Sequence, residues 1–180
     1  MSTDPDTARP HGPEGTGGPP TRVLVAYATK HGSNGEVAEA IAGVLRDRGL
    51  LVDVRPAAEV RSLAGYGAVV LGSGLYSATW LRDANRSIRT HRRALSALPV
   101  WLWSSGPLDR SADFDDIPMT AHVTAAIGGL PIRGHRTFGG RLAADAPEVA
   151  AGIIATHRTG DFRDFDAIRA WAWEIGDALV

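Results

Sequence analysis

The sequence predicts an α/β fold: a doubly wound three-layer sandwich around a five-stranded parallel sheet of order 2-1-3-4-5. Three observations carry this. Short, uniformly apolar runs such as Val23-Leu24-Val25-Ala26-Tyr27 are too short for amphipathic helices and read as strands buried on both faces. They alternate with longer stretches at helical spacing, the pattern of strand–helix crossovers in a parallel sheet. The chain of 180 residues, less a polar N-terminal segment, has the size of the smaller doubly wound arrangement.

Residues 1–20 hold five of the 11 prolines and almost nothing apolar, so they are expected to be a disordered Pro/Gly-rich tail. Residues 21–180 form one domain. After the first strand, Val37, Ala38, Ile41, Ala42 and Leu45 fall on one helical face, and Gly49 is placed to end that helix. Leu51–Val54 is a second strand, followed by a short helix over Ala57–Leu63. Ala68–Gly72 is a third strand. Trp80–Leu98 reads as a long helix carrying Arg82, Arg86, Arg89, Arg92 and Arg93 on a solvated face. Val100–Trp103 is a fourth strand, with Trp101 and Trp103 in the core. Pro118–Ile127, closed by Gly128-Gly129, reads as a helix, and His135–Phe138 as a fifth strand. Glu148–His157 reads as a short helix. Asp164–Leu179 is the last helix, with Asp164 as N-cap and Ile168, Trp171, Ala172, Ile175 and Leu179 as its apolar stripe.

Composition removes several function classes. The hydrophobic share is 44%, the charged share 22% and the formal charge -1, so there is no basic field of the kind that binds nucleic acid. Cysteine is absent, which excludes disulfides, thiolate catalysis and iron–sulfur ligation. No apolar run approaches the roughly 20 residues of a membrane span. No signal pattern opens the chain, and a cytoplasmic location is expected, with peripheral membrane contact left open. Histidines at 11, 31, 91, 122, 135 and 157 never fall in HxxxH or HxxE spacing, so no metal site is expected. Asp113, Asp115 and Asp116 read as a solvated acidic loop.

In an open parallel sheet, ligands bind beyond the carboxyl ends of the strands where the strand order reverses. Three loops meet there. Ala28-Thr29-Lys30-His31-Gly32-Ser33-Asn34-Gly35 offers two hydroxyls, an amide and a cation at the start of a helix, whose free N–H groups and dipole favour an anion. That is a phosphate site, or else an ordinary loop whose Ser33 or Asn34 caps the helix. It has neither GxxxxGK[ST] nor GxGxxG, so nucleoside triphosphates and dinucleotides are poor candidates. The second loop, Ser73–Trp80, brings small residues with Tyr76 and Trp80; the third, Ser104–Asp109, brings backbone polar groups. A planar aromatic ligand can lie between such loops.

The stretches AYATKHGSNGEVAEAI, VVLGSGLYSATW and GDFRDFDAIRAWAWEI resemble the flavodoxin-domain family over nearly all of residues 21–180. The branch they look most like contains the menaquinone-dependent protoporphyrinogen oxidases. The resemblance implies FMN as cofactor, with its phosphate cradled by Thr29, Lys30, His31, Gly32, Ser33 and Asn34. It implies that Ser73, Gly74, Leu75, Tyr76 and Ser77 line the isoalloxazine, Tyr76 stacking on it, and that Ser104, Ser105, Gly106, Pro107 and Leu108 contact its other side. Flavodoxins usually carry Thr where Asn34 stands. The branch also has a basic, aromatic insertion before the last helix, where this chain has the Ala-, Val- and Ile-rich Leu142–Thr159. The implied function is an FMN-dependent oxidoreductase, with porphyrinogen as substrate and quinone as acceptor; the catalytic residues are unassigned. Two alternatives stand beside it: a non-catalytic electron carrier, and a flavodoxin fold that has lost FMN and acts as a binding module. The near-neutral charge disfavours the carrier, since dedicated carriers steer by strong charge.

Overall fold

Val23 and Val25 face one apolar layer and Leu24 and Ala26 the other, so the first strand is buried on both sides. The computed structural model, which describes residues 20–153 and 158–180, shows the same division in the other central strands. The elements in chain order are β1 (Arg22–Ala28), α1 (Ser33–Asp47), β2 (Leu51–Pro56), a 3-10 turn (Ala57–Glu59), β3 (Ala68–Tyr76), β4 (Thr79–Trp80) and α2 (Arg82–Leu95). There follow β5 (Val100–Ser105), α3 (Ser111–Phe114), α4 (Ala121–Ile127), β6 (Gly134–Phe138), β7 (Arg141–Leu142), α5 (Pro147–Ala150), β8 (Gly160–Asp161) and α6 (Phe165–Asp177). The main sheet runs β2-β1-β3-β5-β6, parallel throughout, with β4 folded back antiparallel on β3. Setting β4 aside, this is the expected order 2-1-3-4-5.

Helices α1 and α6 cover one face, packing Val37, Ile41, Leu45, Ile168 and Ile175 against Val23, Val25, Val70 and Trp103. On the other face, α2 and α4 bring Ile88, Leu95, Val123 and Ile127 to Leu24, Val69, Leu71 and Leu102. Because both faces are apolar, polarity does not set the strand register, and shape must. Gly72 stands opposite Trp103 in the β3–β5 register, and a Cβ on Gly72 would run into the Trp103 indole. Trp101 and Trp103 are both core.

Helix α1 stops as its sequence dictates: Gly49 takes φ +83°, its N–H bonds the Arg46 carbonyl at 2.9 Å, and the Leu50 N–H returns to Leu45 at 3.1 Å. Asp164 caps α6, its carboxylate accepting from the Asp166 and Ala167 N–H groups. The α6 stripe of Ile168, Trp171, Ala172 and Ile175 is buried.

Several boundaries differ from expectation. The helix expected over 57–63 is only the 3-10 turn at 57–59. Trp80 belongs to β4 and not to α2, which begins at Arg82. The helix expected from Pro118 begins at Ala121, because Thr120 accepts from the Val123 N–H and so caps it there. The helix expected over 148–157 is one turn, α5, ended where Gly152 takes φ +69°; residues 154–157 lie outside the described residues, as does the tail up to residue 19. The β7–β8 pair and α3 have no counterpart in the sequence reading.

Candidate functional site

At the carboxyl edge of β1, β3 and β5 lies a cavity of about 430 Å³. That is within the usual range for small-molecule sites. One end is the β1–α1 loop. Gly32, at φ +82°, sits at the N-cap and contributes no side chain, so the cap itself leaves the start of α1 open. Thr29 Oγ1 accepts from the Asn34 N–H at 3.4 Å, and the Gly35 N–H turns back to the Gly32 carbonyl at 3.0 Å. Asn34 is 2% exposed; its Nδ2 donates to the Ala28 carbonyl at 3.0 Å, while its Oδ1 has no partner among the described residues. Arg163 braces the loop from the C-terminal side, donating to the Ser33 carbonyl at 2.9 Å and to the carboxylates of Glu36 and Asp161.

Lys30, Thr29, Ser33 and Asn34 line the cavity, as expected. Glu148 reaches in from α5 to pair with Lys30, and its Oε2 stands 3.2 Å from His31 Nε2. The hydrogen bond from Lys30, then one from its own backbone N–H and one from His31, hold the Glu148 carboxyl down at about 2. The same pairing raises the Lys30 ammonium above its ordinary value. Lys30 Nζ also lies 5.3 Å from the centroid of the Tyr76 ring. Burial raises the Tyr76 phenol, with Lys30 opposing and Glu148 assisting.

The other end is apolar and glycine-rich. Gly74, Leu75, Tyr76 and Ser77 line it from β3 and its turn, Ser105, Gly106 and Leu108 from the end of β5. Gly140, Arg141, Leu142 and Ile153 also line the cavity, Arg141 pairing with Glu36 in the first turn of α1 at 2.9 Å; none of them was singled out by the sequence. The Gly140 N–H bonds the Pro107 carbonyl at 2.8 Å, joining the two segments. Ser77 and Ala78 both take positive φ, 50° and 60°, in the two-residue turn between β3 and β4. That left-handed conformation costs non-glycine residues about 1–2 kcal/mol each. Thr120 holds the turn by donating to the Ala78 carbonyl at 2.6 Å.

Five expected residues do not line the cavity. His31 turns to Glu148, and Gly32 serves as the cap of α1. Pro107 contributes its carbonyl to Gly140. Ser73 and Ser104 belong to strands, not to loops, so alternation sends them to the opposite layer from Gly74 and Ser105. Ser73 Oγ accepts from the Leu81 N–H at 3.0 Å. Ser104 Oγ accepts from Trp80 Nε1 at 2.9 Å and lies 3.0 Å from His135 Nε2. Burial lowers the His135 imidazole to about 4, against a smaller opposite effect of Asp116, so the ring is neutral beside the Ser104 hydroxyl.

The donor set suits FMN. The phosphate end has two hydroxyls, an ammonium and the start of a helix. Asn34 Oδ1 is a buried acceptor with nothing to accept from among the described residues, available to a polyol hydroxyl. The far end offers an aromatic ring and aliphatic side chains to a planar group.

Comparisons with known proteins agree with this geometry. A sequence model described as a flavodoxin domain matches residues 24–147. No match was found among curated proteins. Rubredoxin oxygen:oxidoreductase from Desulfovibrio gigas superposes with a TM-score of 0.59 at 15% identity, over 89% of this chain and 36% of that one. The chain thus spans about a third of that protein's length. Flavodoxin 2 from Bacillus cereus superposes with a TM-score of 0.57 at 16% identity, over 88% and 98% of the two chains. A variant of a flavodoxin from Pseudomonas aeruginosa does so with a TM-score of 0.56 at 18% identity, over 88% and 99%. At these identities the superpositions speak for the fold alone. With the family match covering more than half of the sequence, the chain belongs to the flavodoxin domain family, which implies FMN as its cofactor.

Proposed function

We propose that the protein is an FMN-dependent oxidoreductase whose cofactor sits in the cavity at the carboxyl edge of β1, β3 and β5. The observation that supports this most directly is the junction of an anion-binding helix start with an apolar, Tyr76-bearing recess inside one cavity. When bound, FMN supplies one- or two-electron redox chemistry at its ring system.

The chain's own residues have separable tasks in this reading. Thr29 and Ser33 donate hydroxyl hydrogens to the phosphate, and the dipole of α1 favours the negative charge there. Among the described residues, Lys30 and Arg141 supply the cationic side chains lining the cavity. Tyr76, Leu75, Leu108 and Leu142 exclude water from the ring and fix its plane. Ser77, Ser105 and Gly106 bring polar backbone to its edge. Among the described residues no histidine lines the cavity and Glu148 is paired with Lys30, which leaves solvent or the Tyr76 hydroxyl for proton exchange with a substrate.

The finer reading, oxidation of a porphyrinogen with a quinone as acceptor, is supported by the sequence resemblance alone. The near-neutral charge still favours an enzyme over a dedicated carrier. Titration of the purified protein with FMN, followed by absorbance and flavin emission, tests the cofactor. A shifted flavin spectrum with quenched emission is expected. No binding at high micromolar FMN would leave a flavodoxin fold that serves as a binding module. With flavin bound, bleaching by a porphyrinogen and recovery with a menaquinone analogue is the outcome the finer reading requires.

A further inference from the structure

We infer that Glu148 occupies the place of the ligand's terminal phosphate, so that it sets the site's selectivity and an anionic ligand enters by displacing it. The inference rests on the FMN reading for its ligand but on this chain's own residues for its mechanism.

Carboxylates and phosphates are recognised by the same donors, ammonium, imidazolium and N–H groups at helix starts. Glu148 meets two basic groups of the loop, an ammonium and an imidazole ring. Its carboxylate pairs with Lys30 and faces His31 Nε2, the two basic side chains of the β1–α1 loop. It does so from α5, over a hundred residues away in sequence, as one of the residues lining the cavity. Glu148 is 8% exposed, an unusual place for a lone acid unless it is held by cations. The loop is suited to a ligand independently of this pairing: Asn34, buried and lining the same cavity, has an Oδ1 with no partner among the described residues.

Charge makes the two anions exclusive. With Glu148 in place the Lys30 charge is offset, and Arg141, the other cation lining the cavity, is paired with Glu36, so neither offers a free charge to a phosphate. A phosphate monoester brings about -1.5 to -2 at pH 7. Held against the same ammonium, it would stand within contact range of a second anion in a partly desolvated recess, which is strongly unfavourable. The carboxylate has a way out. It rides on a single helical turn that ends at Gly152, in a left-handed conformation that glycine adopts freely, and is followed by the exposed Ile153 at the cavity edge. A flavin without the phosphate does not meet this competitor at all.

The test compares FMN and riboflavin binding to the wild-type protein and to Glu148→Gln, which keeps the side chain's size and an acceptor oxygen. FMN affinity is expected to rise roughly tenfold in the variant, within the range of couplings between interacting sites, with riboflavin affinity unchanged. In a Lys30→Met background the gain from Glu148→Gln should largely disappear. Equal changes for both flavins, or weaker FMN binding in Glu148→Gln, would overturn the inference and make Glu148 a residue that merely orients Lys30. If no flavin binds to either protein, the FMN reading fails instead, and inorganic phosphate decides the inference. A larger rise of the thermal midpoint with phosphate in Glu148→Gln than in wild type sustains it; equal rises overturn it. Glu148→Ala serves as the second variant should Glu148→Gln fold poorly.

Discussion

Arg163 Nη1 donates to the Ser33 carbonyl at 2.9 Å, joining the first residue of α1 to a side chain 130 positions later. The guanidinium is 2% exposed, while its partners Glu36 and Asp161 are about half exposed. It packs over the Phe165 ring at 4.9 Å. The start of α1, where an anion is expected to bind, is therefore held by the C-terminal segment as well as by the Thr29, Gly32 and Asn34 bonds of its own loop.

Arg163→Met should loosen that loop. Solvent screens the attraction to the half-exposed carboxylates, so the loss comes mainly from the Ser33 bond and the stranded acceptors, about 1–3 kcal/mol. Urea denaturation should show this loss, and FMN affinity should fall with it. Arg163→Lys should restore little, because one ammonium cannot span three acceptors in a fixed fork.

Thr29→Ala combined with Ser33→Ala removes two hydroxyls from the phosphate end. At about 1.5 kcal/mol or more for each bond to a charged group, FMN affinity should drop roughly 100-fold with the fold intact. Far-UV circular dichroism and flavin titration together check this. Unchanged affinity would place the flavin elsewhere.

Ser104→Ala separates the two layers at the sheet edge. It leaves Trp80 Nε1 buried without its acceptor, costing about 1–3 kcal/mol of stability. FMN affinity should not change, since Ser104 faces away from the cavity.

Stability should depend on pH through two groups. The His135 imidazole is lowered by burial from 6.5 to about 4. Its contribution is complete above 6.5 and is lost as pH falls from 6.5 toward 4, where the unfolded chain binds a proton that the fold resists. The Glu148 carboxyl is lowered from 4.5 to about 2, chiefly by the Lys30 hydrogen bond, so its contribution is present above 4.5 and lost from there toward 2. Urea midpoints measured from pH 8 to 3 should fall in both windows, and His135→Gln should remove the first.

Much of this was legible in one dimension. Strands β1, β3 and β5 announce themselves because a parallel strand is apolar on both faces, a local property of consecutive residues. Gly49 and Asp164 mark the ends of helices because capping is settled within a few residues. Thr29, Lys30, Ser33 and Asn34 were legible as a polar loop opening a helix for the same reason, and they share the cavity.

What local pattern could not supply was direction and closure. Ser73 and Ser104 looked like loop residues; whether a side chain meets the cavity depended on how far β3 and β5 ran before ending, which cross-strand pairing with β1, β4 and β6 decides. Trp80 resembled the first residue of a helix until an antiparallel pairing with Leu75 claimed it. Glu148 carries no motif and Arg163, though within the C-terminal stretch that carries the resemblance, was assigned no role, since a single charge gains meaning only from the opposite charge it meets in space. The sequence by itself determined the sheet, its order and the polar loop at the start of α1. Only the tertiary structure decided which side chains share the cavity and that a carboxylate already stands against the loop's cation, because those contacts join segments more than a hundred residues apart.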